Sequence, residues 1–432
     1  MAQTLKFGNG NFATKAGSTL CYDDQNGNFK PIPMDFTRST SATRVNKQGL
    51  IEVVTNDRPR IDYTDTSDGV LLLEKAATNL ITYSEDFASD WILDNTTVVI
   101  NSAISPNGSL NADKIIATAI NGSHSAFVSL SSSTSSGTSY CYSFFAKAEE
   151  YTKTAIRIGG GGYSTQPMAV INLLNGTVVS QQGFTSVSVA DFNNGWYKII
   201  AVFTSTSSVA ANIQPIADDF ITTADNYTYT GDGTSGVYIW GAMFEQNSVA
   251  SSYIPTQGSA STRVAETATG AGNSEVFNNI EGTIFLDANF KNNSGVQVLC
   301  SVHDFATNKR LEIWANSNII NGFIGGSQNT TVGSSSLTNR NYKIALSYKS
   351  GNSSFYIDGF LIGSSSSSFT ISALTKMNLS YFNANQYASE CPTKEIGYYN
   401  TILTDLELET LTSYKSWTSM VNELNLNIIY NG

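Results

Sequence analysis

WYKIIAVF (196–203), entered from the turn sequence DFNNG (191–195), is the stretch that sets the fold class. It joins aromatic and β-branched residues over the length of a strand, directly behind an Asn-Asn-Gly turn. The pattern recurs in TTVVI (96–100), CYSFFAK (141–147), AVINLL (169–174), VYIWGAMF (237–244), GTIFLDANF (282–290) and YKIALSY (342–348). Turns rich in Ser, Asn and Gly separate these runs. With 8 prolines in 432 residues, most runs are uninterrupted. The spacing predicts an all-β protein built from β-sandwiches. One segment reads as a helix. In TDLELETLTSYKSW (404–417), Leu406, Leu408 and Leu411 fall near helical spacing, Thr404 is placed as N-cap and Glu407 closes a capping box.

At about 100–200 residues per domain, the chain holds two or three domains. Residues 1–80 are turn-rich and carry Arg38, Arg44, Lys47, Arg58 and Arg60 together with Pro31, Pro33 and Pro59. Their strand candidates, GLIEVV (49–54) and GVLLLE (69–74), are too few for a sandwich of their own, so the segment is expected to be extended and to serve anchoring or oligomerisation. Residues 81–265 hold enough strands for one sandwich, ending in a linker-like passage, TQGSASTRVAETATGAGNSE (256–275). Residues 266–432 form a second sandwich with a short C-terminal helix. SATRVN (41–46) and ASTRVA (260–265) share a Thr-Arg-Val core. That echo is either chance in a Ser/Thr-rich chain or a pair of lead-ins whose Arg44 and Arg263 pin each sandwich to its neighbour.

Composition excludes several classes. The chain has 24 Lys and Arg against 35 Asp and Glu, a net charge of −11, with no basic patch for phosphates; no nucleic-acid partner is expected. No run approaches roughly 18 apolar residues, so no membrane insertion is expected. The N-terminus, MAQTLKFGNGNFATKAGS, lacks the charged-then-apolar pattern of a secretory signal. Cys21, Cys141, Cys300 and Cys391 lack C-x-x-C spacing and read as reduced thiols.

Catalytic motifs are sparse, and the chain is read as not an enzyme. A glycosidase needs two carboxylates flanking one bond. The strands carry few acids: GTIFLDANF has Asp287 alone, and adjacent pairs such as Asp218-Asp219 and Glu149-Glu150 would point to opposite faces of a strand. Neither His124 nor His303 stands in a triad-like context, and GGGG (159–162) is not followed by Lys-Ser/Thr as in a phosphate loop. Binding fits the composition better, since sugar sites use aromatic faces beside amides and hydroxyls. Trp240 reads as core. Trp196, next to a turn, and Tyr381-Phe382 in NLSYFNANQY are the candidate glycan-binding residues. Turn oxygens such as those of GDGTSG (231–236) suit a structural calcium, but no EF-hand pattern exists and the metal stays unassigned, with no cofactor expected otherwise.

FTRSTSATRVNKQGLIEVVTNDRPRIDY (36–63), followed by LLLEKAATNLITYSEDF (71–87), resembles the lead-in of many tailed-bacteriophage virion proteins. In those proteins a carbohydrate-binding-module-like jelly roll follows. Its middle and final strands are similar to GTSYCYSFFAKA (137–148), NGWYKIIAVF (194–203) and GVYIWGAMFEQNSVASSYIPT (236–256). ALSYKSGNSSFYIDGFLIGS (345–364) and EIGYYNTILTDLELETL (395–411) resemble, more loosely, a laminin-G or concanavalin-A-like domain. The resemblance implies a fibre or appendage protein on the virion surface, assembled in the host cytoplasm. Other virion proteins would be its partners, and it would be a homo-oligomer, a trimer favoured over a dimer. Its sandwiches would adhere to host-surface or environmental glycans. A purely architectural decoration protein and a glycan depolymerase are the alternatives.

Overall fold

The computed structural model describes residues 3–64, 66–130, 134–160, 163–206, 209–216, 228–291, 295–304, 309–380, 389–424 and 426. The chain forms two compact units. A central unit comprises residues 42–53 and 76–263, and a terminal unit comprises 1–41, 54–75 and 264–432. Both are built from antiparallel sheets packed face to face, so the β-sandwich class expected from the strand pattern is the observed one.

In the central unit one sheet runs, in spatial order, Thr96–Ile104, Leu110–Ala117, Gly236–Glu245, Ser139–Ala148, Trp196–Thr204 and Ser186–Asp191. The facing sheet runs Ile92–Asp94, Ser125–Ser129, Val209–Ile216, Lys153–Gly160, Met168–Asn172 and Thr177–Gln182. Alternation along each strand sends one set of side chains inward. Tyr140, Tyr142 and Phe144 from one sheet meet Ile156, Ile158 and Ile171 from the other in a single core. The opposite face of the first sheet is also covered. There Phe145, Trp196, Trp240 and Met243 pack with Ile51, Tyr253 and Ile254. A sheet with both faces covered reads as nearly continuous apolar sequence, which is what CYSFFAK and VYIWGAMF show.

The terminal unit has a five-stranded sheet in the order Asn329–Ser336, Ile319–Gly325, Arg310–Asn316, Val296–His303, Lys376–Asn378. Its larger sheet runs Thr267–Thr269, Lys30–Thr37, Ser18–Asp23, Leu5–Gly8, Thr393–Tyr399, Glu281–Phe290, Arg340–Lys349, Ser353–Ile357, Phe360–Ser365. The helix Asp405–Thr412 has the expected capping box, with Thr404 accepting from Glu407 N and the Glu407 carboxylate accepting from Thr404 N. Leu408 is its buried anchor, whereas Leu406 is exposed.

The N-terminal 80 residues are therefore distributed differently from the extended lead-in that the sequence suggested. Residues 3–41 and 54–75 supply strands to the terminal unit, while 42–53 and 76–80 belong to the central one. Lys30–Thr37 (KPIPMDFT) explains why the reading differed. Ile32, Met34 and Phe36 are buried and the intervening residues exposed, a two-residue period that the prolines disguise. Phe36 N donates to Gly17 O, so odd positions aim their N–H direction at the other side. Only Asp35–Thr37 are paired there, by Thr267–Thr269. Pro31 and Pro33 thus lack an N–H where the strand has no neighbour to receive one. The passage 256–275 is no loose linker either, since Ser261–Arg263 pairs Ala77–Asn79 and Thr267–Thr269 extends the larger sheet.

Of the basic residues of the lead-in, Lys47 and Arg58 are exposed and Arg44 is half-buried, but two are internal. Arg38 and Arg60 are buried in the terminal unit against Glu266, and Arg60 also reaches Glu74 at 2.8 Å. Arg44 pairs with Glu52 across its own hairpin at 2.6 Å, and Arg263 donates to Ser252 Oγ at 3.0 Å within the central unit. All four cysteines are buried and free, and burial pushes the Cys300 and Cys391 thiols up to about 12, which makes them unreactive.

Candidate functional site

Trp196 does not present its ring to a ligand. It is 2% exposed, its indole Nε1 donates to Ile104 O at 3.0 Å, and it packs in the Phe145–Trp240 cluster. The DFNNG turn leaves Asp191, Asn193 and Asn194, not the indole, at the surface. Tyr381 and Phe382 lie outside the described residues, as does Asp218-Asp219. Asp232 in GDGTSG spends its carboxylate on its own turn, accepting from Ser235 Oγ at 2.5 Å, Ser235 N at 2.7 Å and Thr234 N at 2.8 Å. Those bonds hold its pKa below the carboxylate range, and among the described residues no group of three or more His, Cys, Asp or Glu is arranged to hold a metal.

The central unit instead has a cleft of about 720 Å³ that the sequence reading did not single out. Three stretches meet there: the YSEDF segment (83–87), the strand pair Thr96–Ile104/Leu110–Ala117, and residues 255–257. The first strand is bulged, with its register shifting between Val99 and Ala103 and Asn101 at φ 54°. Such a bulge re-aims side chains at the rim of a sheet.

Asp113 ties the parts together. Its Oδ2 accepts from Phe87 N at 3.0 Å and its Oδ1 from Asn101 N at 2.9 Å, so one buried carboxylate fixes both the YSEDF segment and the bulge. Phe87 then packs on Trp91 with centroids 4.7 Å apart, and Trp91 Nε1 donates to Tyr83 O at 3.0 Å. Glu85 is held from two sides, by Tyr253 Oη at 2.9 Å and Asn111 Nδ2 at 2.9 Å. Asp86 accepts from Ala88 N at 3.0 Å and Ser89 Oγ at 2.7 Å. Burial raises the Glu85 and Asp113 carboxyls above their ordinary values, the hydrogen bonds offsetting it only in part.

Two buried polar atoms among the described lining residues have no protein partner. Asn111 Oδ1 is buried and unbonded, and the assignment of that amide follows from chemistry: its nitrogen faces the Glu85 carboxylate, which only accepts. Thr256 Oγ1 is also buried and unbonded on a residue 8% exposed. Buried polar atoms normally find partners, so these two mark a place where the protein leaves hydrogen-bonding capacity unspent.

Three carboxylates, Glu85, Asp86 and Asp113, line one cleft although the strands carry few acids. Sequence reasoning missed it because Glu85 and Asp86 are 27 positions or more from Asp113 and on a different segment. The signal available was YSEDF itself, which the resemblance quotes but whose role it does not give.

No protein-family model matches the chain, and no curated protein matches it. Among solved structures it is similar to the CBM40 of Ruminococcus gnavus IT-sialidase, bound to α2,3-sialyllactose, at 16% identity, over 34% of this chain and 94% of that one, with a TM-score of 0.29. It is similar also to domains LG4-5 of the mouse laminin α1 chain, at 8% identity, 74% and 90% coverage and a TM-score of 0.22. A heptameric SAP-like pentraxin from Limulus polyphemus matches at 14% identity, 32% and 71% coverage and a TM-score of 0.25. At such TM-scores no ligand or activity passes from these proteins to this chain.

Proposed function

We propose that the protein is a fibre or appendage component of a bacteriophage particle that displays two β-sandwiches and adheres to glycans through the central one. The observation that carries the adhesion reading is the YSEDF cleft. It sets a tyrosine beside carboxylates, amides and an unspent hydroxyl, the mixture that saccharide recognition uses. The phage reading is supported by the ordered motifs between residues 35 and 265. On it, the chain belongs on the virion surface as a homo-oligomer, a trimer favoured over a dimer, beside other virion proteins.

Binding without turnover is the reading favoured for the cleft. A glycosidase acid must be free to give its proton to the leaving oxygen. Glu85 and Asp86 hold internal donors, and Asp113 is buried under two backbone N–H groups.

A glycan array probed with the full-length protein and with Tyr83→Ala tests this reading. Binding to host-surface polysaccharide that Tyr83→Ala loses supports adhesion through the cleft. Absence of binding to every glycan overturns adhesion, and reducing-sugar release from host polysaccharide overturns the non-catalytic reading. Antibody labelling of intact particles in the electron microscope tests the virion placement.

A further inference from the structure

We infer that the cleft selects saccharides without acid groups and favours one carrying a free amine, because its lining offers carboxylates and an orphan acceptor but no cation. This rests on the glycan reading above and sharpens its ligand class. Among the described residues, no Lys, Arg or His lines the cleft. Glu85, Asp86 and Asp113 place negative charge around the cleft, and Asn111 Oδ1 adds an acceptor with no donor to meet it. Carboxylates and amide oxygens accept only, so a complementary ligand must donate. Sugar hydroxyls donate, and an ammonium donates three times while also meeting the local charge. A sialic or uronic acid would bring a carboxylate to a site that has no cation to pair it, and like charges brought together in a partly desolvated cleft repel.

Thr256 separates a ligand role from a structural one. Because its Oγ1 has no protein partner, Thr256→Val deletes no internal hydrogen bond while keeping the side-chain shape. Loss of that hydroxyl therefore weakens a bound ligand without weakening the fold, which sheds an unpaired buried group.

The test is titration calorimetry of the full-length protein at neutral pH with four probes: glucosamine oligosaccharides, their fully N-acetylated counterparts, neutral malto-oligosaccharides and sialyllactose. The expected result is tightest binding to the glucosamine oligosaccharides, about tenfold over the acetylated ones, with an advantage that shrinks as salt is raised. Sialyllactose is expected not to bind. Glu85→Gln should reduce the amine preference, and Thr256→Val should weaken binding about tenfold with a melting temperature no lower than that of the wild type. Neutral sugars binding as tightly as the amine-bearing ones, or Thr256→Val binding like the wild type, would overturn the selectivity and leave glycan adhesion standing. Sialyllactose binding that Thr256→Val weakens would do the same. Failure of every saccharide, on the array as well, would overturn adhesion and this inference together.

Discussion

Arg60 and Glu266 stand 206 residues apart in the chain and meet as a buried pair, Nε donating to Oε1 at 2.8 Å. Glu266 serves Arg38 from the same oxygen at 2.6 Å and accepts from Glu74 N at 3.0 Å on the other. The guanidiniums also spend donors on the backbone, Arg38 on Thr40 O at 2.8 Å and Thr55 O at 2.6 Å. One carboxylate thus fastens the three separate stretches of sequence that build the terminal unit.

Removing that charge should unfold the terminal unit more readily than losing any exposed ion pair. Glu266→Gln removes the negative charge that the buried guanidiniums of Arg38 and Arg60 share, an expected cost of about 3–5 kcal/mol. Lys349→Ala, which breaks a half-exposed pair with Glu281, should cost less than about 1 kcal/mol. Urea unfolding of the two variants measures the difference; equal midpoints would refute the cluster's structural role.

Trp196 should behave as a core residue. Trp196→Ala is expected to destabilise the central unit by about 3–5 kcal/mol. Trp196→Phe, which loses the bond to Ile104 O but keeps most of the packing, should leave saccharide binding unchanged in the same calorimetric assay. A folded Trp196→Phe that no longer binds would restore Trp196 as a ligand contact.

Gly236 opens the strand Gly236–Glu245 opposite Ile116, and a Cβ there would overlap the carbonyl oxygen of Ile115. That atom belongs to backbone in a paired strand, so neither side can yield without breaking the ladder. Gly236→Ala should lower the melting temperature of the central unit. Gly233→Ala is not a clean control despite open space around it, because Gly233 has φ +80° and a Cβ is strained there in any case.

His303 is buried in the terminal unit, and desolvation pushes its pKa from 6.5 down to about 4 despite a hydrogen bond to Asn378 that favours the charged form. The folded state therefore holds the ring neutral where the unfolded chain would protonate it. Stability from this group is present above pH 6.5 and is lost as pH falls toward 4, on the order of 3 kcal/mol in all. Chemical denaturation at a series of pH values, compared with His303→Gln, measures it. A variant with the same pH slope as the wild type would assign the loss to other groups.

The strand class and the Thr404–Glu407 capping box were legible because each is written in neighbouring residues: alternation, turn chemistry and a three-residue spacing. The division of the first 80 residues was not. Pro31 and Pro33 hid the period of Lys30–Thr37, and which edge could tolerate a missing N–H depended on where Thr267–Thr269 came to pair. Trp196 was misjudged for a related reason, since a turn beside a strand says nothing of what covers the strand's outer face, and here Ile51, Tyr253 and Ile254 do.

The sequence by itself determined the backbone's habit, because strand and helix preferences act over a few residues. Only the tertiary structure decided that Arg38 and Arg60 are internal rather than free to meet a partner. It also decided that Glu85, Asp86 and Asp113 face one cleft, and that Thr256 ends there with a hydroxyl to spare. The physical reason is the same in each case. Charge pairing and unspent hydrogen bonds are properties of atoms close in space, and a chain whose sheets join strands hundreds of residues apart does not write those distances into its order.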